Sequence, residues 1–453
     1  LKIVHISTYD VKGGAARSAY RLHQGLLGLG HESAMVVRQK SSADAHVHEC
    51  ADARPDWREW ELVQEKCIDE NRTPISNTYF SLGAPGCDVS AHPAVQAADV
   101  IHLHWVTWFQ SPMSILRLSI LGKPMVWTLH DQRAFTGGCH FSAGCVRYEN
   151  ECGSCPQLQK DWFDLTRATV LDERDAMPIS AVVCPSHWLA DCAKRSAVFR
   201  AVDVSVIPYG IDTNIFRPQS KTTARDAIGL NRDAFWFLFG GDNMSIKRKG
   251  IDILVEAIRI ADKTFRADVE SGRVQFGSFG GGKTELPVAV KHFGRIKSDE
   301  QLAQVCAAAD VLLLPSLEDN LPNVMIEALC CGTPVVAFAI GGIPDAVEDG
   351  VTGRLVRPGD AREFARAMIE LAQDRQLSAK LSENCGRALP ERYSLGRQAE
   401  AYVDVYERAL ATSLPATATG VPERRVREIF PSLVRLAQNR GRGRMAWRFL
   451  RWK

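Results

Sequence analysis

The stretch Val311-Leu-Leu-Leu-Pro-Ser-Leu-Glu-Asp-Asn-Leu-Pro-Asn-Val-Met-Ile-Glu-Ala-Leu-Cys-Cys-Gly-Thr-Pro-Val-Val336 reads as one structural unit. Val311 to Pro315 is an apolar run of strand length, the mark of a strand covered on both faces in a parallel sheet. A polar loop follows, then a largely apolar helical stretch near 323–331. Gly332-Thr-Pro334 ends the helix, and a second strand runs over Pro334–Phe338. Strand, helix and parallel strand in that order are the repeating unit of doubly wound α/β domains.

The alternation extends in both directions. Strands are expected at 234–240, 274–280 and 291–294, with helices from Gly250 and near 299–308. In the first half they are expected at 2–7, 33–37, 100–104, 124–129, 181–184 and 204–207. Residues 40–95 interrupt this with a polar, irregular, Trp-containing insert. Ile207 to Pro218 carries two prolines and a glycine between regular elements, the composition of a connection. At 453 residues the chain has room for two or three domains of about 150 residues. The reading is a 1–206 domain, a 207–390 domain, a closing segment 391–411 with an amphipathic helix near 397–411, and a linker and basic tail over 412–453. Ligands are expected beyond the carboxyl ends of the strands.

The formal net charge of +2 argues against a protein that coats nucleic acid. That sum hides a division. Val421 to Lys453 holds ten Arg and Lys against two Glu, a net of +8, which leaves −6 for residues 1–420. The chain opens directly in a strand pattern and has no apolar run near membrane-span length, so neither a cleavable signal nor a spanning helix is expected. Thirteen cysteines, an odd count, suit a reducing cytoplasm.

Five segments of the second half, Ile207-Pro-Tyr-Gly-Ile-Asp212, Lys249-Gly-Ile-Asp-Ile-Leu254, Val311 to Ser316, Pro322 to Val336 and Gly341-Gly-Ile-Pro344, resemble glycosyltransferase family 4. The first half is similar more loosely, through its Gly-Gly loop and Thr128-Leu-His-Asp131, so the resemblance spans about 1–411. It implies the GT-B architecture, two Rossmann-like domains facing a cleft. It also implies transfer from a nucleotide-diphosphate sugar with retention and no obligatory metal. A cysteine-rich segment after the His130 strand further resembles an exopolysaccharide-type bacterial subset.

By this resemblance Glu327 and, eight positions earlier, Asp319 mark the donor site, with Glu318 as a neighbour to the shorter acid. A carboxylate there can accept hydrogen bonds from a ribose diol. The helix start at Leu321, Pro322, Asn323 and Val324 can turn amides toward phosphate or sugar oxygens. The competing reading is an acid in a first helical turn that only complements the helix dipole, worth roughly 0.3–1 kcal/mol. Lys247-Arg248-Lys249 gathers three cations where the leaving diphosphate needs compensation. Lys249 matches the family's phosphate lysine, and Arg248 takes the place of an arginine missing from the preceding loop. His130 matches a histidine that contacts the donor sugar, and Arg295 borders the base. Gly13 and Gly14 let backbone amides approach a phosphate.

Gly277-Ser-Phe-Gly-Gly-Gly-Lys-Thr284 has phosphate-loop spacing, but Pro287 and a strand follow it where such a loop needs a helix, so it is rejected as one. Cys139, Cys145, Cys152 and Cys155 crowd the turn-rich segment 135–156. Four thiolates could hold a structural zinc there, with His140 as a spare ligand, in competition with plain reduced thiols. The tail interleaves its cations with Val426, Ile429, Phe430, Leu433, Val434, Leu436, Met445, Trp447, Phe449, Leu450 and Trp452. This suits an anionic membrane surface, with an RNA-binding arm or packing on the acidic body as alternatives. Gly441 and Gly443 are expected to break a helix there.

The sequence thus points to a retaining glycosyltransferase that passes a sugar to a glycan or lipid-linked glycan in bacterial polysaccharide synthesis. It would work in the cytoplasm, peripheral on the inner membrane face. A non-catalytic nucleotide-sugar scaffold and a sugar-nucleotide epimerase or hydrolase of the same build are the alternatives.

Overall fold

The computed structural model describes residues 1–50, 56–176, 178–282, 285–412 and 425–450, the last segment with side chains through 440. The chain forms two compact units. Unit 1 holds residues 1–184, 189–207 and the described part of 401–453, and unit 2 holds 185–188 and 208–400.

Unit 1 is built on a seven-stranded sheet of β1 (Lys2–Tyr9), β2 (Glu32–Gln39), β3 (Val47–Glu49), β4 (Val100–Leu103), β5 (Met125–Thr128), β6 (Ala181–Cys184) and β7 (Val204–Val206), in the order β3-β2-β1-β4-β5-β6-β7. Unit 2 has six strands, β8 (Phe235–Gly241), β9 (Val274–Gly280), β10 (Val290–His292), β11 (Val311–Leu314), β12 (Val335–Phe338) and β13 (Gly353–Val356), in the order β10-β9-β8-β11-β12-β13. The pairings are parallel, including the central ones, β1 with β4 and β8 with β11. Strands β4, β5, β6, β11 and β12 are buried along their whole length, which is why they read as unbroken apolar runs. The strand order reverses between β1 and β4 and between β8 and β11. The loops leaving those strands therefore diverge and open a crevice in each unit.

The insert 40–95 is more ordered than its composition suggests. It supplies the edge strand β3, a helix Trp57–Val63 that continues as a π-helical turn Gln64–Ile68, and a short helix Pro93–Ala97. Val47 on β3 packs with Met35 and Val37 of the sheet, but most of the large apolar residues of the insert lie elsewhere. Trp60, Val63, Cys67, Ile68, Phe80 and Leu82 form a satellite core with Cys139, Leu158 and Leu165.

The third contributor to that satellite core is the tail. Arg425–Leu450 is one helix, continuous through Pro431, Gly441 and Gly443, so the expected glycine break does not occur. Leu433, Val434 and Ala437 are buried in the satellite core, with Val426, Ile429, Phe430 and Leu436 packed around them. Phe430 stacks on Trp60 at 3.8 Å between ring centroids. Asp172 accepts from the Arg425 and Val426 amides at the helix start. The apolar residues from 426 to 437 that the sequence offered to lipid thus pack on unit 1 instead. The remaining tail aromatics and the linker 413–420 lie outside the described side chains. Among the described residues no helix is long and apolar enough to cross a membrane.

Candidate functional site

In unit 2 the reversal point sets the loop after β8 beside the loop after β11, and two contacts lock them together. Lys249 Nζ lies 2.6 Å from Asp319 Oδ2, and Arg248 Nη1 lies 3.2 Å from the same oxygen. Arg248 also donates to the Glu318 carbonyl at 3.0 Å, and Ser316 Oγ donates to Asp319 at 3.3 Å. Burial pulls the Lys249 ammonium below its ordinary value while Asp319 pushes back. Burial alone would raise Asp319, but Lys249 and Arg248 outweigh it and hold the carboxyl below its ordinary value. The sequence expected three cations to converge. Two do, and Lys247 is exposed.

Two glycines make this approach sterically feasible. Gly250, at φ 67°, would place a Cβ 1.9 Å from the Pro315 carbonyl oxygen, and Gly341, at φ 54°, would place one 1.8 Å from the Asp319 carbonyl oxygen. Both are left-handed positions that glycine occupies without strain. Gly341 stood in a quoted motif, but its contact with the Asp319 loop is a tertiary fact that no spacing reveals.

Glu327 is 1% exposed on the helix Asn323–Cys330. It lies in the second turn and the first turn holds no acid, which removes the dipole-complement reading. No side chain caps this helix, whose start follows buried Leu321 and Pro322 and exposes Asn323 and Val324 partially. Arg295 is exposed in the loop after β10. After the glycine turn at Gly280 and Gly282 the next described element is β10, so no phosphate-loop helix follows among the described residues; Lys283 and Thr284 lie outside them.

In unit 1, Gly13, at φ 89°, precedes the helix Gly14–Gly28 with no side-chain cap. His130 follows β5 and heads a hydrogen-bonded chain through the sheet. Its Nε2 is 3.3 Å from His104 Nδ1, and His104 Nε2 is 2.9 Å from His5 Nδ1. His5 Nε2 is 3.1 Å from Ser33 Oγ, which is 2.7 Å from His23 Nδ1, and His23 Nε2 is 3.5 Å from Asp44. Burial keeps these imidazoles neutral at pH 7, pulling His23 and His130 down to about 4 and His5 and His104 well below their ordinary value. A neutral imidazole has one donor and one acceptor nitrogen, and an ionised Asp44 can only accept. Closure of the Asp44 end would give the chain one polarity. A hydrogen bond from His23 Nε2–H to Asp44, not made at the present 3.5 Å, would have each later group donate back along the chain and place the His130 proton on Nε2.

Among the described residues, His5, His102 and His104 are the one group with three possible metal-ligand atoms within 4.8 Å of one another. Each nitrogen is already engaged, those of His102 by Tyr406 and Thr128 at 2.7 Å, so a metal would have to break this network. Sequence reasoning missed His5 and His104 because a histidine inside a strand, or directly after one, carries no periodic signal. It also missed Arg133 and Glu173, which line a recess with His130 and pair at 2.6 Å.

Two family profiles match the chain, one described as Glycosyltransferase Family 4 over residues 12–215 and one as Glycosyl transferases group 1 over 235–374. A D-inositol 3-phosphate glycosyltransferase of Saccharomonospora viridis is 33% identical over 358 residues, covering 76% of this chain and 77% of that one. The chain belongs to the family 4 glycosyltransferases. A second such enzyme, from Xylanimonas cellulosilytica, is 26% identical over 90% of this chain and 95% of its own length. The fold is shared with sucrose-phosphate synthase from Thermosynechococcus elongatus, at TM-score 0.61, 20% identity and coverage of 91% of this chain and 99% of that one. It is shared too with Anabaena HepE solved with UDP-glucose, at TM-score 0.59, 17% identity and coverage of 89% and 99%.

This glycosyltransferase carries its four clustered cysteines around one further recess. Burial pushes the Cys139 thiol well up, Cys152 to about 12 and Cys155 to about 11, with the neighbouring thiols adding to each shift. Cys152 and Ser154 hold left-handed backbone at φ 57° and 44°, strain of the kind found at ligand clamps. No three of the four sulfurs fall within 4.8 Å of one another, so as a set they do not stand at the mutual spacing of about 3.8 Å of a closed tetrahedral zinc–thiolate site. His140 is no spare ligand. Its Nδ1 meets Asp131 at 2.6 Å and its Nε2 meets Ser81 at 2.8 Å.

Proposed function

We propose that this glycosyltransferase takes its sugar from a nucleoside diphosphate with retention. It passes the sugar to a lipid-linked glycan in bacterial polysaccharide synthesis, in the cytoplasm at the inner membrane face. The observation that carries the donor reading is the pairing of half-buried Lys249 and Arg248 with buried Asp319 at the strand-order reversal of unit 2. Desolvated cations at such a point are poised for an anion. Charge that grows on a departing diphosphate is worth most to stabilise where water is excluded. Glu327 is the partner for the ribose diol. His130, a weak base with its pKa near 4, positions a sugar hydroxyl rather than taking its proton. The tail residues beyond the helix segment packed on unit 1 remain basic and aromatic, which supports a role at an anionic surface.

The relatives named above act on D-inositol 3-phosphate, and HepE was solved with UDP-glucose; both support a nucleotide-sugar enzyme with a polyol acceptor. A melting series with UDP, GDP, ADP and dTDP sugars tests the donor, because bound ligand stabilises by RT ln(1 + [L]/Kd). One of them is expected to raise the melting temperature, and a flat response to all would remove the reading. The cysteine quartet is proposed to close on a structural zinc by side-chain rotation. Elemental analysis is expected to give one zinc per chain, and a protein purified without chelator that holds none would end that part.

A further inference from the structure

A recess in unit 1 lies where the chain leaves β4 and β5. It is part enclosed and part open to solvent. Its wall sets Trp105 and apolar Ile115 beside Gln110, His130, Arg133 and Glu173. Two of these polar side chains are incomplete. Gln110 is 4% exposed, yet neither its Oε1 nor its Nε2 has a hydrogen-bond partner. Glu173 is 3% exposed, its Oε1 accepts from Arg133, and its Oε2 has no partner. Buried polar atoms are costly to leave unpaired, and three from two elements in one recess mark a place that a polar guest completes.

The charge balance decides what kind of guest. Arg133 is the only Lys or Arg among the described residues lining the recess, and Glu173 already holds it at 2.6 Å. Asp131 adds a second carboxyl, while His104 and His130 are neutral. A phosphate entering here would meet no spare cation. A neutral ring with several hydroxyls supplies what is missing, a donor and an acceptor for Gln110 and a donor for Glu173 Oε2. Its C–H face suits an indole such as Trp105. Burial also pushes Glu173 up to about 7, so its carboxyl can take either role toward a hydroxyl.

We propose that this recess binds an uncharged, polyhydroxylated ring of the acceptor, with Gln110 and Glu173 reading its hydroxyls. The assignment rests on the reading of the chain as a transferase to a glycan and names the chemistry of the acceptor end.

The test uses the full chain and methyl glycosides of glucose, galactose, mannose and N-acetylglucosamine, each beside the 6-phosphate of the same ring. Binding is read by tryptophan fluorescence and by saturation-transfer NMR, in the absence and presence of the nucleotide sugar that shifts the melt. At least one neutral glycoside is expected to bind, and its affinity should fall about five- to tenfold in Gln110→Leu and in Glu173→Gln. Both variants should keep the wild-type melting response to nucleotide sugar. If Glu173→Gln does not fold, Gln110→Leu decides, since it removes two unpaired atoms and leaves the Arg133 pair whole. Tighter binding of the phosphates, or glycoside affinity untouched by Gln110→Leu, overturns the proposal. So does failure of every glycoside to bind a protein that responds to nucleotide sugar, an outcome that leaves the donor reading standing. A protein that binds glycosides but ignores all nucleotide sugars loses the donor reading alone.

Discussion

In the proposed donor site, Lys249 and Asp319 make separable predictions. Lys249→Ala removes the cation nearest the carboxylate, and kcat is expected to fall about 10²- to 10³-fold, the usual scale for a preorganised electrostatic contact. Asp319→Asn preserves shape but frees Lys249 and Arg248 from a carboxylate at 2.6 and 3.2 Å. Transfer should drop while the free nucleoside diphosphate binds more tightly, a split that calorimetry with diphosphate alone can read. Weaker diphosphate binding in Asp319→Asn would show that the pair does not compete with ligand. Gly341→Ala strikes the same loop from below. Its Cβ would overlap the Asp319 carbonyl oxygen at a left-handed φ, so a loss of about 1–3 kcal/mol is expected in chemical denaturation.

At the scale of elements, the tail helix is the part whose role the sequence hid. Leu433 is fully buried against residues of the insert and the cysteine segment. Leu433→Ala should therefore cost about 2–5 kcal/mol, whereas a residue turned toward lipid would cost almost nothing in solution. Equilibrium unfolding in denaturant separates the two. The strands of both sheets were legible to within a residue or two, because strands covered on both faces must be unbroken apolar runs. Of the four edge strands, β7 and β10 were legible too, but β3 and β13 were not. β3 has three residues, and β13 carries Arg354 on a half-exposed surface, so neither needs an apolar pattern. The tail and insert misled for a related reason. Each has an apolar stripe too narrow to make a core by itself, and only their mutual packing makes one. Asp319 and Glu327 lie in one loop and the helix that follows it, so the resemblance could name them together from a local motif. The β1 and β4 histidines and the Gln110–Glu173 recess, assembled from separate elements, were not legible. The histidine chain has its own test. Side-chain ¹⁵N correlation spectra should show His130 protonated on Nε2 and bare on Nδ1, with mixed tautomers in Asp44→Asn.

Over the whole molecule, the titratable burden is divided unevenly, and the division predicts how the protein fails in acid. Ten of its twelve histidines belong to unit 1. His5, His23, His102, His104 and His130 are all held below the ordinary imidazole value, burial being the largest cause in each. A histidine neutral in the fold but protonated when unfolded makes the unfolded state bind more protons, so stability rises with pH across that window. For His23 and His130 the window runs from about 6.5 down to about 4, and each contributes a slope of about 1.4 kcal/mol per pH unit within it. Asp319 in unit 2 has the opposite placement. Its pKa is depressed, so its contribution is complete above the ordinary carboxylate range and is lost only as pH falls through the lower folded value. His187 and His292, the two histidines of unit 2, are exposed. Acidification from pH 7 should therefore loosen unit 1 first. Hydrogen exchange read at pH 7, 5.5 and 4.5, after correction for intrinsic rates, is expected to show protection fading in β1, β4 and β5 while β8, β11 and β12 stay protected. Simultaneous loss in both sheets, or earlier loss in unit 2, would mean that the histidine chain is not what limits the fold in acid.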